Sequence, residues 1–257
     1  MNNKENPIKI LPSYVQAWSK ENAVKFFTSH RNSLEDVYTS EKHFLSEVIE
    51  PGCSVLDLGC AAGGFFNVFK QLEPSITYTG IDISEEMIKT ARANRPEPDF
   101  IVSSGSSLPF KNQSFDVVFC SGALHMTYDW REILKEGWRV AKKYFVFDVR
   151  LVEATPSIEN IAESYEKIAF YDEWDGKTIV PYILLNVNDF IASINSLHPN
   201  PVVQNYFGYY HPVSQMTVSP IKDVCMTMCC LRKKLHPEQQ IEWNLPLKRP
   251  ESLKLSN

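Results

Sequence analysis

The segment from Ser54 to Asp82 constrains the fold of this 257-residue chain more than any other part of it. It begins with the apolar run SVLDL, continues into a loop of small residues, GCAAGG, and then into a helical stretch over 65–72. A second apolar run over 76–81 ends at Asp82. A strand, a glycine loop, a helix and a second strand in this order predict a βαβ unit with parallel strands. Because ligands bind at the carboxyl ends of such strands, we expect a ligand site beside the loop and Asp82.

The alternation of strands and helices continues beyond this unit. The pattern predicts strands at 99–103, 115–120 and 144–149, and helices at 84–94 and 130–141. These strands lack polar alternation, which is typical of a parallel sheet that is buried on both faces. Right-handed crossovers place the helices on both sides of such a sheet. The sequence therefore predicts an α/β fold, Rossmann-like and doubly wound, around a mostly parallel sheet.

The regions on either side of this core have weaker patterns. Helical spacing of apolar residues predicts a helical region over 14–49. Beyond Arg150 the pattern predicts helices at 157–170 and 186–197 and strands at 202–210 and 223–231. We therefore predict one domain over residues 1–257. Its parts are a helical cap (14–50), a ligand-binding core (51–150), a lid with the last strands (151–234) and a tail (235–257).

Composition excludes several classes of protein. Hydrophobic residues make up 44% and charged residues 22%, which are ordinary values for a globular chain. The net charge of −5 argues against a dedicated nucleic-acid binder, which usually carries a basic surface. The sequence contains no run of about 18 apolar residues, so it predicts no membrane-spanning helix. The first residues lack the apolar stretch of a signal peptide, so we expect a cytoplasmic protein.

The six cysteines predict buried free thiols. Four of them lie in apolar, strand-like runs, and none forms a CxxC pair. A zinc site at Cys225, Cys229 and Cys230 is the alternative. It is disfavoured because no second pair of ligands has zinc-like spacing.

The position of Asp57 indicates the charge of the ligand. This acid lies two residues before the first glycine of the loop. In a dinucleotide-binding protein, the corresponding loop holds a pyrophosphate. A carboxylate there would repel a phosphate and attract a cation such as an amino group or a sulfonium. The sequence therefore favours a positively charged nucleoside over NAD. Asp82, about 25 residues further on, is placed to accept hydrogen bonds from ribose hydroxyls.

Three motifs together resemble a known family. VLDLGCAAGGF, YTGIDISEEMI and LPFKNQSFDVVFCSGALHM are similar to the motifs of class I S-adenosylmethionine-dependent methyltransferases, in the small-molecule branch. The resemblance covers roughly residues 30–150. It implies a seven-stranded Rossmann-like sheet, N-terminal helices, a substrate lid inserted after strand five, and S-adenosylmethionine as the cofactor, with S-adenosylhomocysteine as the product.

The resemblance assigns residues to the methionine portion of the cofactor. Gly59, Ala61 and Gly63 would line the loop beneath it, and Asp57 would lie by its amino group, often through water. Ser121 would lie beside the same portion after the fourth strand. Residues of the N-terminal helices often contact the carboxylate in this family, and the candidates here are Arg31 and Tyr38.

The resemblance also assigns residues to the nucleoside portion of the cofactor. Asp82 would bind the ribose hydroxyls, and Ile83 would pack on the adenine. The loop after strand three often carries an acid that contacts the adenine amino group. This sequence has Ser104 at that position, so Ser106 or a backbone group is the alternative contact.

Methyl transfer needs alignment of nucleophile, methyl group and sulfur, and a base only where the acceptor is a hydroxyl. His125, which follows the fourth strand, is the first candidate base, and His211 is the second. A structural histidine is the alternative for His125, and a surface loop histidine is the alternative for His211.

Four residues are candidates for binding the molecule that accepts the methyl group. Arg150 ends the fifth strand and would hold a carboxylate or phosphate through two hydrogen bonds. Its alternative is a salt bridge with Asp148 or Glu153. The other candidates are aromatic residues of the late part of the chain, and they are Tyr171, Trp174 and Tyr209.

These observations predict a methyltransferase that acts on an oxygen or nitrogen of a small molecule such as a natural product, sugar or metabolite. We expect a small-molecule substrate and neither a nucleic acid nor a membrane as partner; the oligomeric state stays open. An RNA or protein methyltransferase is one alternative. CAAGG is similar to the CAAPGGF loop of RNA enzymes, but the proline is absent. A catalytically inactive cofactor-binding module is another alternative, disfavoured because the loop and both acids are present.

Overall fold

The computed structural model describes residues 15–171, 173–233 and 240–253. Its strands are β1 (Ser54–Leu58), β2 (Thr77–Asp82), β3 (Asp99–Val102), β4 (Phe115–Cys120), β5 (Ala141–Val152), β6 (Tyr165–Lys167), β7 (Ile179–Pro181), β8 (Leu185–Asn186), β9 (Val203–Pro212), β10 (Thr217–Val218), β11 (Asp223–Arg232) and β12 (Gln240–Asn244). Its α-helices are α1 (Glu21–Ser29), α2 (Thr39–Val48), α3 (Gly64–Leu72), α4 (Glu85–Asn94), α5 (Trp130–Val140) and α6 (Val187–Asn195). Short 3-10 helices lie at Val15–Ser19, Leu124–Met126 and Glu251–Leu253.

The central sheet confirms the predicted α/β fold class. Its strand order is β12-β9-β11-β5-β4-β1-β2-β3, and β8 pairs with the end of β5. The strands from β1 to β5 run parallel, whereas β11 lies antiparallel between β5 and β9. Within the described residues the sheet has nine strands rather than the seven expected, because β8 and β12 extend it.

Alternate side chains of β5 build a core on each face of the sheet. Phe145 and Phe147 enter the core that contains α5 and α6. Tyr144 and Val146 enter the opposite core, which contains α2 and α3. Successive residues of a strand point to opposite faces, so a strand that is buried on both faces must be apolar throughout. This is the physical reason for the missing polar alternation in the sequence.

The predicted helical region over 14–49 is divided in the structure. A loop over 30–38 separates α1 from α2, and Arg31 within it has a left-handed φ of +54°. The loop lies directly on the first turn of α3, where a side chain in place of Gly64 would come within 2.6 Å of the His30 carbonyl oxygen. The helical spacing therefore predicted the helical character of this region correctly but missed the loop that divides it.

Two predictions for the later part of the chain are wrong. Residues 157–170 do not form a helix, because Tyr165–Lys167 instead pairs with β7 and β10 in a separate antiparallel sheet. The predicted tail at 235–257 contains β12, which pairs in parallel with β9, and Leu247 and Leu253 are buried. Within the predicted tail, residues 235–239 and 254–257 lie outside the described residues.

The cysteines are all buried and free, which confirms their predicted state. The described part of the chain contains no group of three or more His, Cys, Asp or Glu side chains placed to hold a metal ion. In the same described ranges, none of the helices is both long and apolar enough to cross a membrane.

The contact between α5 and β5 generates a prediction about stability. A methyl group on Gly137 would lie 2.5 Å from the Cζ atom of Phe145, inside a buried core. Gly137→Ala should therefore lower the free energy of unfolding by about 1–3 kcal/mol, although alanine is the better helix former. Lys135→Ala on the exposed face of the same helix is the control and should change it by less than about 0.5 kcal/mol. Urea denaturation of both variants is the measurement, and a stabilised Gly137→Ala variant would contradict this packing.

Candidate functional site

A pocket with a volume of about 360 Å³ opens at the carboxyl ends of β1, β2, β4 and β5. Eleven of the predicted site residues line it: Arg31, Tyr38, Gly59, Ala61, Asp82, Ile83, Ser104, Ser121, His125, Arg150 and His211. Six do not line it: Asp57, Gly63, Ser106, Tyr171, Trp174 and Tyr209. The structure therefore brings together most of the predicted cofactor residues and both histidines.

The loop after β1 forms the floor of the pocket. The amides of Gly59 and Cys60 both donate to the carbonyl oxygen of Ile81, at 2.8 and 2.9 Å, which ties the loop to β2. Gly59 has a φ of +77°, and a side chain there would come within 2.9 Å of Ala123. Small residues are therefore required for the loop to lie this close to the segment after β4.

Asp82 is held in place by two backbone amides. Its Oδ2 accepts a hydrogen bond from the Ala61 amide at 2.9 Å, and its Oδ1 accepts one from the Ser84 amide at 2.8 Å. Burial raises the pKa of this carboxyl group, while the backbone amides act in the opposite direction. A carboxylate has about four acceptor positions, so two amides leave others free for a ligand in the pocket.

Asp57 lies beneath the loop rather than in the pocket wall. Its side chain is buried, and the Tyr78 hydroxyl donates to its Oδ2 at 2.5 Å. Burial raises the pKa of Asp57 to about 7, although the hydrogen bond from Tyr78 lowers it. The Asp57 carboxyl group therefore does not contact the pocket space directly.

A buried cluster of three side chains lies at the opposite end of the floor. The Arg31 guanidinium is 3.1 Å from Glu41 Oε1 and donates to Ser121 Oγ at 3.1 Å, and Ser121 donates to Glu41. Glu41 is buried, which raises its pKa, and Arg31 acts against that rise. Arg31 Nε is buried without a hydrogen-bond partner in the described residues. Arg31 also lies over the Tyr38 ring at 5.0 Å.

Glu41 was missed by the sequence reasoning, although a signal was present. Its Oε2 accepts a hydrogen bond from the Tyr38 amide at 2.7 Å, as a glutamate does at the third position of a helix. The usual serine or threonine of that motif is replaced by Tyr38, which concealed it. The motif orients Glu41, and Glu41 in turn holds Arg31 at the pocket wall.

A second buried ion pair lies at the end of β5. Arg150 donates to Asp148 Oδ2 at 2.5 Å, and the Gly122 amide donates to Asp148 Oδ1 at 2.6 Å. Burial by itself raises the pKa of Asp148, but Arg150, His125 and the Gly122 amide together outweigh it, so the pKa lies below its usual range. Of the two alternatives for Arg150, the salt bridge with Asp148 is therefore present, although Arg150 also lines the pocket.

His125 is a neutral side chain at this end of the pocket. Burial and the nearby Arg150 lower its pKa to about 3. Its Nδ1 is 4.0 Å from Asp148 Oδ2 and has no hydrogen-bond partner among the described residues. An efficient general base has a pKa near the working pH, so this environment does not suit His125 to that role. His211 lies at the exposed rim, where its Nδ1 is 2.7 Å from the Pro212 carbonyl oxygen.

The insert after β5 contributes a wall that the sequence did not reveal. Its antiparallel sheet has the order β10-β6-β7 and places Glu166 and Thr217 at the pocket, with Tyr182 beside them. Glu166 and Thr217 are directly opposite each other in the pairing of β6 with β10. The mistaken helix over 157–170 hid Glu166, because a helical period assigns this residue to a different face than a strand does.

The aromatic residues predicted to bind the methyl acceptor do not line the pocket. Tyr171 is 67% exposed, which places it on the outer surface. Trp174 donates its indole N–H to the Thr178 carbonyl oxygen at 2.8 Å and thereby closes a turn. The half-buried Tyr209 lies on β9, with its ring 6.5 Å from that of His211.

The aromatic side chain that does cover the pocket is Phe170. Its ring stacks on that of Phe26 in α1, with ring centroids 4.4 Å apart, and both line the pocket. Lys20 and Asp175 form an ion pair at 2.7 Å between the same two segments. The N-terminal helix and the insert therefore form a joint cover over the pocket.

Comparison with known proteins agrees with this architecture. A family model described as a methyltransferase domain matches residues 56–147. The chain is 32% identical over 146 residues to a demethylmenaquinone methyltransferase of Lactococcus lactis, covering 54% of this chain and 56% of the relative. It is 33% identical over 89 residues to one from Thermotoga maritima, covering 35% and 39%. The chain thus spans about half or less of the length of these curated relatives.

Solved structures show the same fold at lower identity. A SAM-dependent methyltransferase from Methanosarcina mazei superposes with a TM-score of 0.54 at 16% identity, over 78% of this chain and 99% of that one. A protein from Pyrococcus horikoshii superposes with a TM-score of 0.51 at 17% identity, over 88% and 97%. The match of residues 56–147 to a methyltransferase domain, together with the curated relatives, supports a class I S-adenosylmethionine-dependent methyltransferase domain in this chain.

Proposed function

We propose that this protein transfers a methyl group from S-adenosylmethionine to an oxygen or nitrogen of a small molecule. The observation that carries the proposal is the position of Asp82, fixed by the Ala61 and Ser84 amides at the pocket floor. Its free acceptor positions face the space where a ribose bound at the end of β2 would lie.

The pocket fits the cofactor at both ends. Arg31 is half-buried, its buried Nε lacks a partner among the described residues, and a carboxylate is the natural partner of such a guanidinium. Ile83 and Ser104 line the wall beyond Asp82, where the adenine would lie. We therefore assign the Arg31 end to the methionine portion and the Asp82 end to the nucleoside.

The chain's own residues position and enclose the reaction. S-adenosylmethionine, when bound, supplies an electrophilic methyl group on a sulfonium. Phe26 and Phe170 exclude water from above, and the loop after β1 holds the floor rigid. Alignment of this kind is worth up to about 7–11 kcal/mol for a displacement reaction. Neutral His125 lines the same space and contributes shape rather than a readily available proton acceptor.

The size of the pocket and its cover support a small methyl acceptor. A volume of about 360 Å³ beneath two contacting segments suits a small molecule better than a nucleic acid or a folded protein. The relatives from Lactococcus lactis and Thermotoga maritima are named for methylation of demethylmenaquinone, which is also a small molecule.

The first test of this function is calorimetric titration of the purified protein. S-adenosylmethionine and S-adenosylhomocysteine should both bind, with dissociation constants in the micromolar range of about 1–100 µM. NADH is the control and should not bind, because the loop lacks a site for its pyrophosphate. Failure of both adenosyl compounds to bind would overturn the proposed function.

Replacement of Asp82 tests the ribose contact. Asp82→Asn should weaken S-adenosylhomocysteine binding by about 10- to 100-fold, because charge-assisted hydrogen bonds are lost. Asp99→Asn is the control, since Asp99 is an exposed acid at the opposite end of the neighbouring strand. Unchanged affinity of a folded Asp82→Asn variant, measured by calorimetry, would contradict the assignment.

Replacement of Arg31 tests the carboxylate contact with a control built into the ligand. Arg31→Gln should weaken S-adenosylhomocysteine binding by about tenfold, through loss of a charged hydrogen bond. It should leave binding of 5′-methylthioadenosine nearly unchanged, because that compound lacks the carboxylate. An equal loss for both compounds would show that Arg31 instead maintains the shape of the pocket.

A further inference from the structure

The inner face of the insert's small sheet presents two polar side chains to the pocket. Glu166 on β6 and Thr217 on β10 are directly opposite in the pairing, and both line the pocket. Lys167 follows Glu166 and points to the other face, where its ammonium group lies 5.0 Å from the centre of the Trp174 ring. The strand alternation thus directs one acid and one hydroxyl inward.

Neither inward side chain has a hydrogen-bond partner in the described chain. Thr217 is only 8% exposed, and its Oγ1 is buried without a partner there. The Glu166 carboxylate has no hydrogen bond to the residues that the structure describes, and its main electrostatic neighbour is Arg150. Unsatisfied polar groups in a mostly enclosed place are costly, so their presence at a pocket wall points to a ligand.

The charge of this region favours a cation. Arg150 is already neutralised by Asp148 at 2.5 Å, and His125 is neutral. Glu166 is therefore the acid that remains without a dedicated counter-charge at this end of the pocket, among the described residues. Burial raises its pKa, as expected for a carboxylate that lacks a close cation.

The surroundings of Glu166 are largely apolar. Met126, Ile168, Val224 and Met226 line the pocket together with it. An acceptor with an apolar body and one protonated nitrogen would fill this space and supply the missing hydrogen-bond donors.

We infer that Glu166 and Thr217 form the acceptor subsite and that the methyl acceptor is an amine, whose ammonium form pairs with the Glu166 carboxylate. Glu166 accepts one proton from the ammonium, and the lone pair that this leaves on nitrogen forms the new bond to the methyl group as the bond from the methyl group to sulfur breaks. This inference rests on the proposed methyltransferase function. It narrows the proposed oxygen or nitrogen acceptor to nitrogen and assigns a specificity-determining role to Glu166.

The test uses the full chain saturated with S-adenosylhomocysteine and two small probes, benzylamine and benzyl alcohol. The probes share an apolar ring and differ in the cationic nitrogen. Titration followed by protein NMR should show saturable binding of benzylamine and binding of benzyl alcohol that is at least about tenfold weaker.

Variants then assign the preference to Glu166. Glu166→Gln should weaken benzylamine binding by about tenfold, whereas Glu166→Asp, which keeps the charge, should retain part of it. Glu163→Gln is the matched control, because Glu163 is an exposed acid on the same insert that accepts a hydrogen bond from Asn160. Unchanged S-adenosylhomocysteine affinity in each variant shows that the protein is folded.

The outcomes separate this inference from the function on which it rests. Equal binding of the two probes would overturn the amine subsite, and so would equal benzylamine binding by the wild type and Glu166→Gln. In both cases, binding of S-adenosylhomocysteine would still support the methyltransferase function. Absence of S-adenosylhomocysteine binding in the wild type would overturn both.

Discussion

The two hydrogen bonds that hold the Asp82 carboxylate are the contacts on which the rest of the site depends. They join the loop after β1 to the end of β2 and the start of α4, since the donors are the amides of Ala61 and Ser84. The amides of Gly59 and Cys60 reinforce the same junction from the loop side through the Ile81 carbonyl oxygen. A loop that was free to move would leave neither a floor for the pocket nor a fixed direction for the carboxylate.

Acids that line the pocket or hold its lining residues differ in their partners and therefore in their properties. The Tyr78 hydroxyl donates to Asp57, and burial raises the pKa of Asp57 to about 7. Asp148 has Arg150 and the Gly122 amide, and its pKa is lowered. Burial also raises the pKa values of Asp82 and Glu41. The same carboxyl group thus titrates near pH 7 in one place and is held as a carboxylate in another, according to the donors and cations within reach.

The parts of the fold that were predictable are those whose determinants are local in sequence. β1, β2 and β4 are apolar runs, and the glycine loop and Asp82 lie within one βαβ unit, so spacing alone placed them at one edge. β6 has three residues and exists only because β7 and β10 pair with it, and β12 likewise depends on β9. Periodicity within a short window contains no information about such distant pairing, and the wall that includes Glu166 was lost for this reason.

The same division explains why the cofactor end of the site was easier to recognise than the acceptor end. The floor is built by the core, which contains the match to a methyltransferase domain, whereas the cover is built by α1 and the insert, which meet through Phe26 and Phe170. A residue such as Glu166 is therefore oriented by a small sheet outside that match, separate from the hydrogen bonds that hold Asp82. Under the proposed amine subsite, substrate choice would lie on an element that is separate from the cofactor floor, so that a change in the insert would be enough to change the methyl acceptor.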